Sequence, residues 1–110
     1  MDETLLDAET WKLEAEAIIN DVKDHVQELK ISEKIKSTSQ FIYLNLRTIE
    51  HKDFCVELSA QGFRIIGHNF DENNIDGDEY FETPYSLLNV VSPKFKESFG
   101  NALFKKLNDL

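Results

Sequence analysis

Phe41-Ile42-Tyr43-Leu44-Asn45-Leu46-Arg47 and, a short polar stretch later, Phe54-Cys55-Val56-Glu57-Leu58 are the segments whose reading decides the fold. Ile42, Leu44 and Leu46 share one face of the first run, and Phe54, Val56 and Leu58 share one face of the second, which is the period of two that a pleated strand imposes. Between them Glu50-His51-Lys52-Asp53 is polar and short enough for a hairpin. Ser59-Ala60-Gln61-Gly62 then supplies a glycine for the next reversal, before Phe63-Arg64-Ile65-Ile66-Gly67-His68. An antiparallel meander of three or four half-buried strands is expected.

Outward from this centre the period becomes helical. Upstream, Trp11, Ala15, Ile18, Ile19, Val22, Val26 and Leu29 keep helical spacing, so one amphipathic helix is expected from Trp11 to about Lys30. The acidic stretch from Met1 to Thr10 is expected to fray, and Ile31 to Gln40 reads as a short edge strand or a linking loop. Downstream, a hydroxyl residue precedes proline twice, at Thr83-Pro84 and Ser92-Pro93, the pattern of N-cap and N1 at the starts of two successive helices. The second should run from Pro93 almost to the C-terminus. The order helix, strands, helices predicts an α+β fold, with N-terminal and C-terminal helices covering one face of the sheet in a single domain over residues 11–110.

That last helix carries more apolar surface than one interface needs. Phe99, Leu103 and Leu107 form one rising line, Phe95, Ala102 and Leu110 flank it, and Phe104 falls to the side. Together they cover roughly half the circumference, against the ~100° stripe of an ordinary surface helix. Phe95 and Ala102 are expected to face the core, leaving the line free for a partner.

With 110 residues, 41% hydrophobic and 11% aromatic, the chain can build one two-layer core. A formal charge of -9 and a pI near 4.7 argue against nucleic acid or anionic membrane as partners, because either polyanion needs a basic face. Lys94, Lys96, Lys105 and Lys106 form the most basic run, which reads as a solvated face near a helix C-terminus. The lone Cys55 cannot form an internal disulfide and no apolar run near the start resembles a signal or a membrane span, so cytosol or nucleus is expected. Cys55 with His51 and Asp53 is the best case for catalysis, yet no oxyanion-hole sequence accompanies them and a lone cysteine is normally a small packing residue. The acidic loop Asp71 to Glu79 fails as a calcium loop in either register, since Ile75 sits where an oxygen ligand belongs or Thr83 where the closing Glu belongs. His68 has no ligand at metal spacing. No catalytic group, cofactor or metal is expected.

Leu13-Glu14-Ala15-Glu16-Ala17-Ile18-Ile19-Asn20-Asp21-Val22, Tyr85-Ser86-Leu87-Leu88, Ser92-Pro93 and Phe99-Gly100-Asn101-Ala102-Leu103 resemble the signature segments of the glycogen synthase kinase-3 interaction protein family. The likeness spans Leu13 to Leu110 and includes Glu57-Leu58 and Gly62. It implies a small non-catalytic α+β domain whose C-terminal helix docks on glycogen synthase kinase-3 and restrains it. Phe99, Leu103 and Leu107 match the kinase-binding segment, with Leu110 next along. The family also implies a second partner, the regulatory subunit of cyclic-AMP-dependent protein kinase, held by the first helix through Ile18, Val22 and Val26. Here the sequence departs from the pattern: Lys23, Asp24 and His25 follow Val22 where anchoring members carry apolar residues, and the apolar arc is only wide enough for one buried face. Anchoring by this helix is therefore not expected. A homodimer formed through the C-terminal helix remains the alternative use of its free face.

Overall fold

A computed structural model describes residues 8–75, 77 and 79–108. Helix α1 spans Ala8–Val22 and tightens into one 3-10 turn at Lys23–His25. Four strands follow, β1 (Glu28–Ile31), β2 (Ile42–Arg47), β3 (Asp53–Ser59) and β4 (Gly62–Gly67), paired antiparallel in the order β1-β2-β3-β4. Helices α2 (Pro84–Val91) and α3 (Pro93–Asn108) complete the α+β fold. Among the described residues no helix is long and apolar enough to cross a membrane. The expected fraying of Met1 to Asp7 lies outside the described residues, while Ala8–Thr10 already belong to α1.

The expected first helix is two elements. Val26 and Leu29 keep helical spacing with Val22, but Leu29 and Ile31 also alternate at period two, and the chain takes the second option. Leu29 lies opposite Leu46 and Ile31 opposite Leu44 on β2, so the same apolar side chains reach the core from an extended backbone. A four-residue strand carries too little pattern to be told from the tail of a helix. Val22 and Val26 are buried on either side of the junction.

The inner face of the sheet meets the helices as its alternation requires. Ile42, Leu44, Leu46, Phe54, Val56, Leu58 and Phe63 form one cluster with Trp11, Ala15 and Val22 of the first helix and its tail, and with Leu87, Leu88 and Phe95 of the last two. The outer face departs from the half-buried expectation, because Asn45, Cys55 and Glu57 are also buried. The chain after β4 folds back over them. Asn45 Nδ2 donates to Asp71 Oδ1 at 2.9 Å, Asp71 N donates to Asn45 Oδ1 at 2.9 Å, and the Ser32 hydroxyl donates to the same carboxylate at 2.5 Å. The Asp71 pKa is held below the usual carboxylate range by Asn45 first and Ser32 second. Beside this clasp the Arg47 guanidinium lies 4.9 Å from the Phe70 ring centroid, and Glu57 pairs with Arg64 at 3.1 Å.

At the β3–β4 hairpin, Gly62 adopts φ 121°, which an L side chain rarely tolerates, and an added Cβ would run into the Phe81 carbonyl. That close approach lets Phe63 and Phe81 exchange two backbone hydrogen bonds of 2.8 Å each, pinning the approach to α2 against the edge of β4.

Candidate docking helix

Both proline-led helix starts are capped. Thr83 Oγ1 accepts from Ser86 N at 3.1 Å ahead of Pro84, and Ser92 Oγ accepts from Phe95 N at 3.1 Å ahead of Pro93. The α3 cap has a second layer that local sequence does not announce. Glu50, in the β2–β3 turn, accepts from the Ser92 hydroxyl and from Lys94 N, each at 2.8 Å. Burial opposes ionisation of this carboxyl, yet the bonds from Lys94 N and Ser92 outweigh it and hold its pKa at about 2. An ionised carboxylate is also favoured by the helix dipole at that end.

From this anchored start α3 divides in two. Phe95 is fully buried. Phe99 is half-buried: its ring stacks on Phe95 with centroids 5.4 Å apart, meets Tyr85 at 5.1 Å and His25 at 5.4 Å. His25 and Ser98 share a 2.8 Å hydrogen bond that ties the 3-10 turn to the same face. Beyond Phe99 every residue from Gly100 to Asn108 is exposed, including Ala102, which was expected in the core. The reason is length: α3 runs past the last element it packs on, so the flank that Ala102 occupies has no sheet beneath it. The outer half is a helical arm standing in solvent. Leu103 is 49% exposed, Phe104 66% and Leu107 67%, three of the six exposed large hydrophobics on the chain's described residues. Isolated surface apolar residues are unremarkable, but three within five positions of one helix make a patch.

Of the residues singled out for kinase contact, Leu103 and Leu107 are therefore open, Phe99 stands at the root of the arm with its ring mostly engaged, and Leu110 lies outside the described residues. Phe104, to the side of the line, is exposed as well and widens the same patch. Of the regulatory-subunit positions, Val22 and Val26 are buried and Ile18 packs against the core. They are not on a free helix face.

The remaining candidates have other duties. Cys55 is fully buried and its thiol pKa is raised, chiefly by burial and then by the Asp71 charge, the reverse of what activates a nucleophile. Asp53 is clamped by Arg47 at 2.7 and 3.0 Å, and its pKa is lowered by that contact. Among the described residues no three His, Cys, Asp or Glu side chains converge as metal ligands, and Asp71, where the acidic loop begins, spends its carboxylate on the clasp.

A four-stranded meander backed by three helices, the last prolonged into an apolar arm, defines a small α+β domain with an unshared helical surface. Residues 11–110 match the family model described as the GSKIP domain, and the chain belongs to that family. Its curated relatives include the GSK3-beta interaction protein of Danio rerio, 43% identical over 101 residues that make up 90% of this chain and 75% of that protein. The GSK3B-interacting protein of Homo sapiens is 37% identical over 107 residues, 94% of this chain and 76% of that protein. The Protein GSKIP homolog of Drosophila melanogaster is 30% identical over 90 residues, 79% and 76% of the two chains.

Proposed function

We propose that this chain is a non-catalytic adapter that binds glycogen synthase kinase-3 through the α3 arm and restrains it. The observation that carries this reading is the run of exposed Leu103, Phe104 and Leu107 on a helix whose base is fixed by Phe95 and the Glu50 cap. The names of the relatives, interaction proteins of that kinase, supply the partner. Leu103 and Leu107 are one helical turn apart, the spacing with which an amphipathic helix lays anchors into a groove, with Phe99 at the root and Leu110 as the next position along. Full burial of each leucine contributes roughly 1.5–3 kcal/mol before the costs of association. The arm approaches the kinase already helical and pointed by its base, which reduces the ordering cost that a free peptide would meet.

Leu107→Pro tests this directly. Proline breaks the arm at a cost of about 3 kcal/mol or more, yet nothing in the core touches that turn, so the domain stays folded while kinase pull-down is lost. Unchanged pull-down by the folded variant removes the arm from the interface. Restraint by occlusion of a scaffold groove predicts weaker phosphorylation of a scaffold-dependent substrate and unchanged turnover of a short peptide.

A further inference from the structure

A second surface of the molecule complements the arm. Between α1, the β3–β4 hairpin and the start of α2 lies an open groove of about 690 Å³. Trp11, Ile18, Phe63 and Tyr85 supply its apolar walls. Glu14, Asp21 and Glu82 stand around it, and no Lys or Arg lines it among the described residues. The arm has the opposite character, with Leu103, Phe104 and Leu107 on its apolar side and Lys105 and Lys106 beside them. We infer that in the absence of another partner the α3 arm of one copy lies in the acidic groove of a second copy, and the reverse.

Three observations favour a second copy as the occupant. Charge and polarity match on both sides: an apolar, dibasic helix meets an apolar groove edged by three carboxylates. Arm and groove sit on the same chain, so reciprocal exchange closes a two-fold pair and leaves neither surface uncovered. The arm prolongs α3 past its packed base, so Leu103, Phe104 and Leu107 stay in water together until something covers them. The inference stands apart from the kinase reading, although if the kinase takes the same arm, dimer and complex exclude one another.

The test uses the whole chain alone, so its outcome is independent of whether the kinase binds. Sedimentation velocity over a concentration series reaching about 1 mM should show a reversible monomer to dimer transition. Emission from Trp11, the chain's single tryptophan and a groove residue, should change along the same curve. Glu14→Lys with Glu82→Lys gives a basic groove, and Lys105→Glu with Lys106→Glu gives an acidic arm. Each doubly substituted chain should raise the dimer dissociation constant about tenfold or more, because its groove and arm then carry like charges. Mixed in equal amounts, the two should restore pairing as a heterodimer, since each arm then faces a groove of opposite sign. A wild-type chain that stays monomeric throughout, an assembly larger than two, undiminished pairing of either variant, or a mixture that remains monomeric would each overturn the inference. Circular dichroism matching wild type shows that a lost dimer is not a lost fold.

Discussion

The inner and outer halves of α3 share one helical ladder and differ in every other respect. From Pro93 to Phe99 the helix is held by a two-layer cap, a fully buried Phe95 and an aromatic stack with Tyr85 and His25. From Gly100 to Asn108 every residue is exposed, although they are as apolar as those that precede them. Hydrophobicity alone therefore does not mark the core; an apolar residue is structural only where the rest of the chain brings a surface to meet it. Where no such surface arrives, the same residue is available to another molecule.

The sharpest way to break this division is at its ends. Phe95→Ala should destabilise the domain by about 3–5 kcal/mol, read as a lower midpoint in urea, because it empties a fully enclosed site. A loss below about 1 kcal/mol would mean that the base is not anchored as described. In the arm, Leu103→Ala and Leu107→Ala should each weaken kinase binding by about tenfold or more in a calorimetric titration.

Glu50→Gln probes the joint between the fold and the helix base and should cost roughly 0.5–2 kcal/mol, the range of a helix cap. Its pH dependence has a defined sign. The carboxyl ordinarily ionises near 4.5 and is held at about 2 in the folded chain, so its stabilisation is complete above the ordinary value and is lost as pH falls from about 4.5 towards 2. Thermal melts of wild type and Glu50→Gln should accordingly differ near neutrality and converge in acid. A constant gap across that window would remove the ionised cap from the account. The smallest effect belongs to the arm again: Leu103→Ala and Leu107→Ala should change folding stability by no more than about 0.5 kcal/mol, because neither side chain loses a core contact.

Features decided by neighbours in sequence were legible before the structure. The alternation in β2 and β3, the Gly62 reversal before β4 and the hydroxyl-proline starts of α2 and α3 are local signals, and each element lies where they put it. The excess apolar arc of α3 also announced itself, since its width needs no knowledge of the rest of the fold. What escaped depends on distant partners. Leu29 and Ile31 satisfy a helix or a strand equally until Leu46 and Leu44 are seen opposite them. Asn45, on the outer face of a half-buried strand, reads as solvent-facing until Asp71, 26 positions beyond it, closes over that face. Glu50 reads as a turn residue, and its bond to Ser92 spans 42 positions. Phe99 looked interchangeable with Leu103; only the approach of His25 and Tyr85 assigns its ring to the fold and leaves the leucine outside.

Gly62 has a consequence for the groove it borders. Its missing side chain lets Phe81 approach the hairpin, and Phe81 leads directly into Glu82, Thr83 and Pro84, which form one bank of the acidic cleft, with α1 as the other. A single methyl group at this position would act as a wedge, displacing that bank and resetting the aperture between it and α1. The spacing of a surface that could hold another polypeptide is thus calibrated by an atom the chain does without.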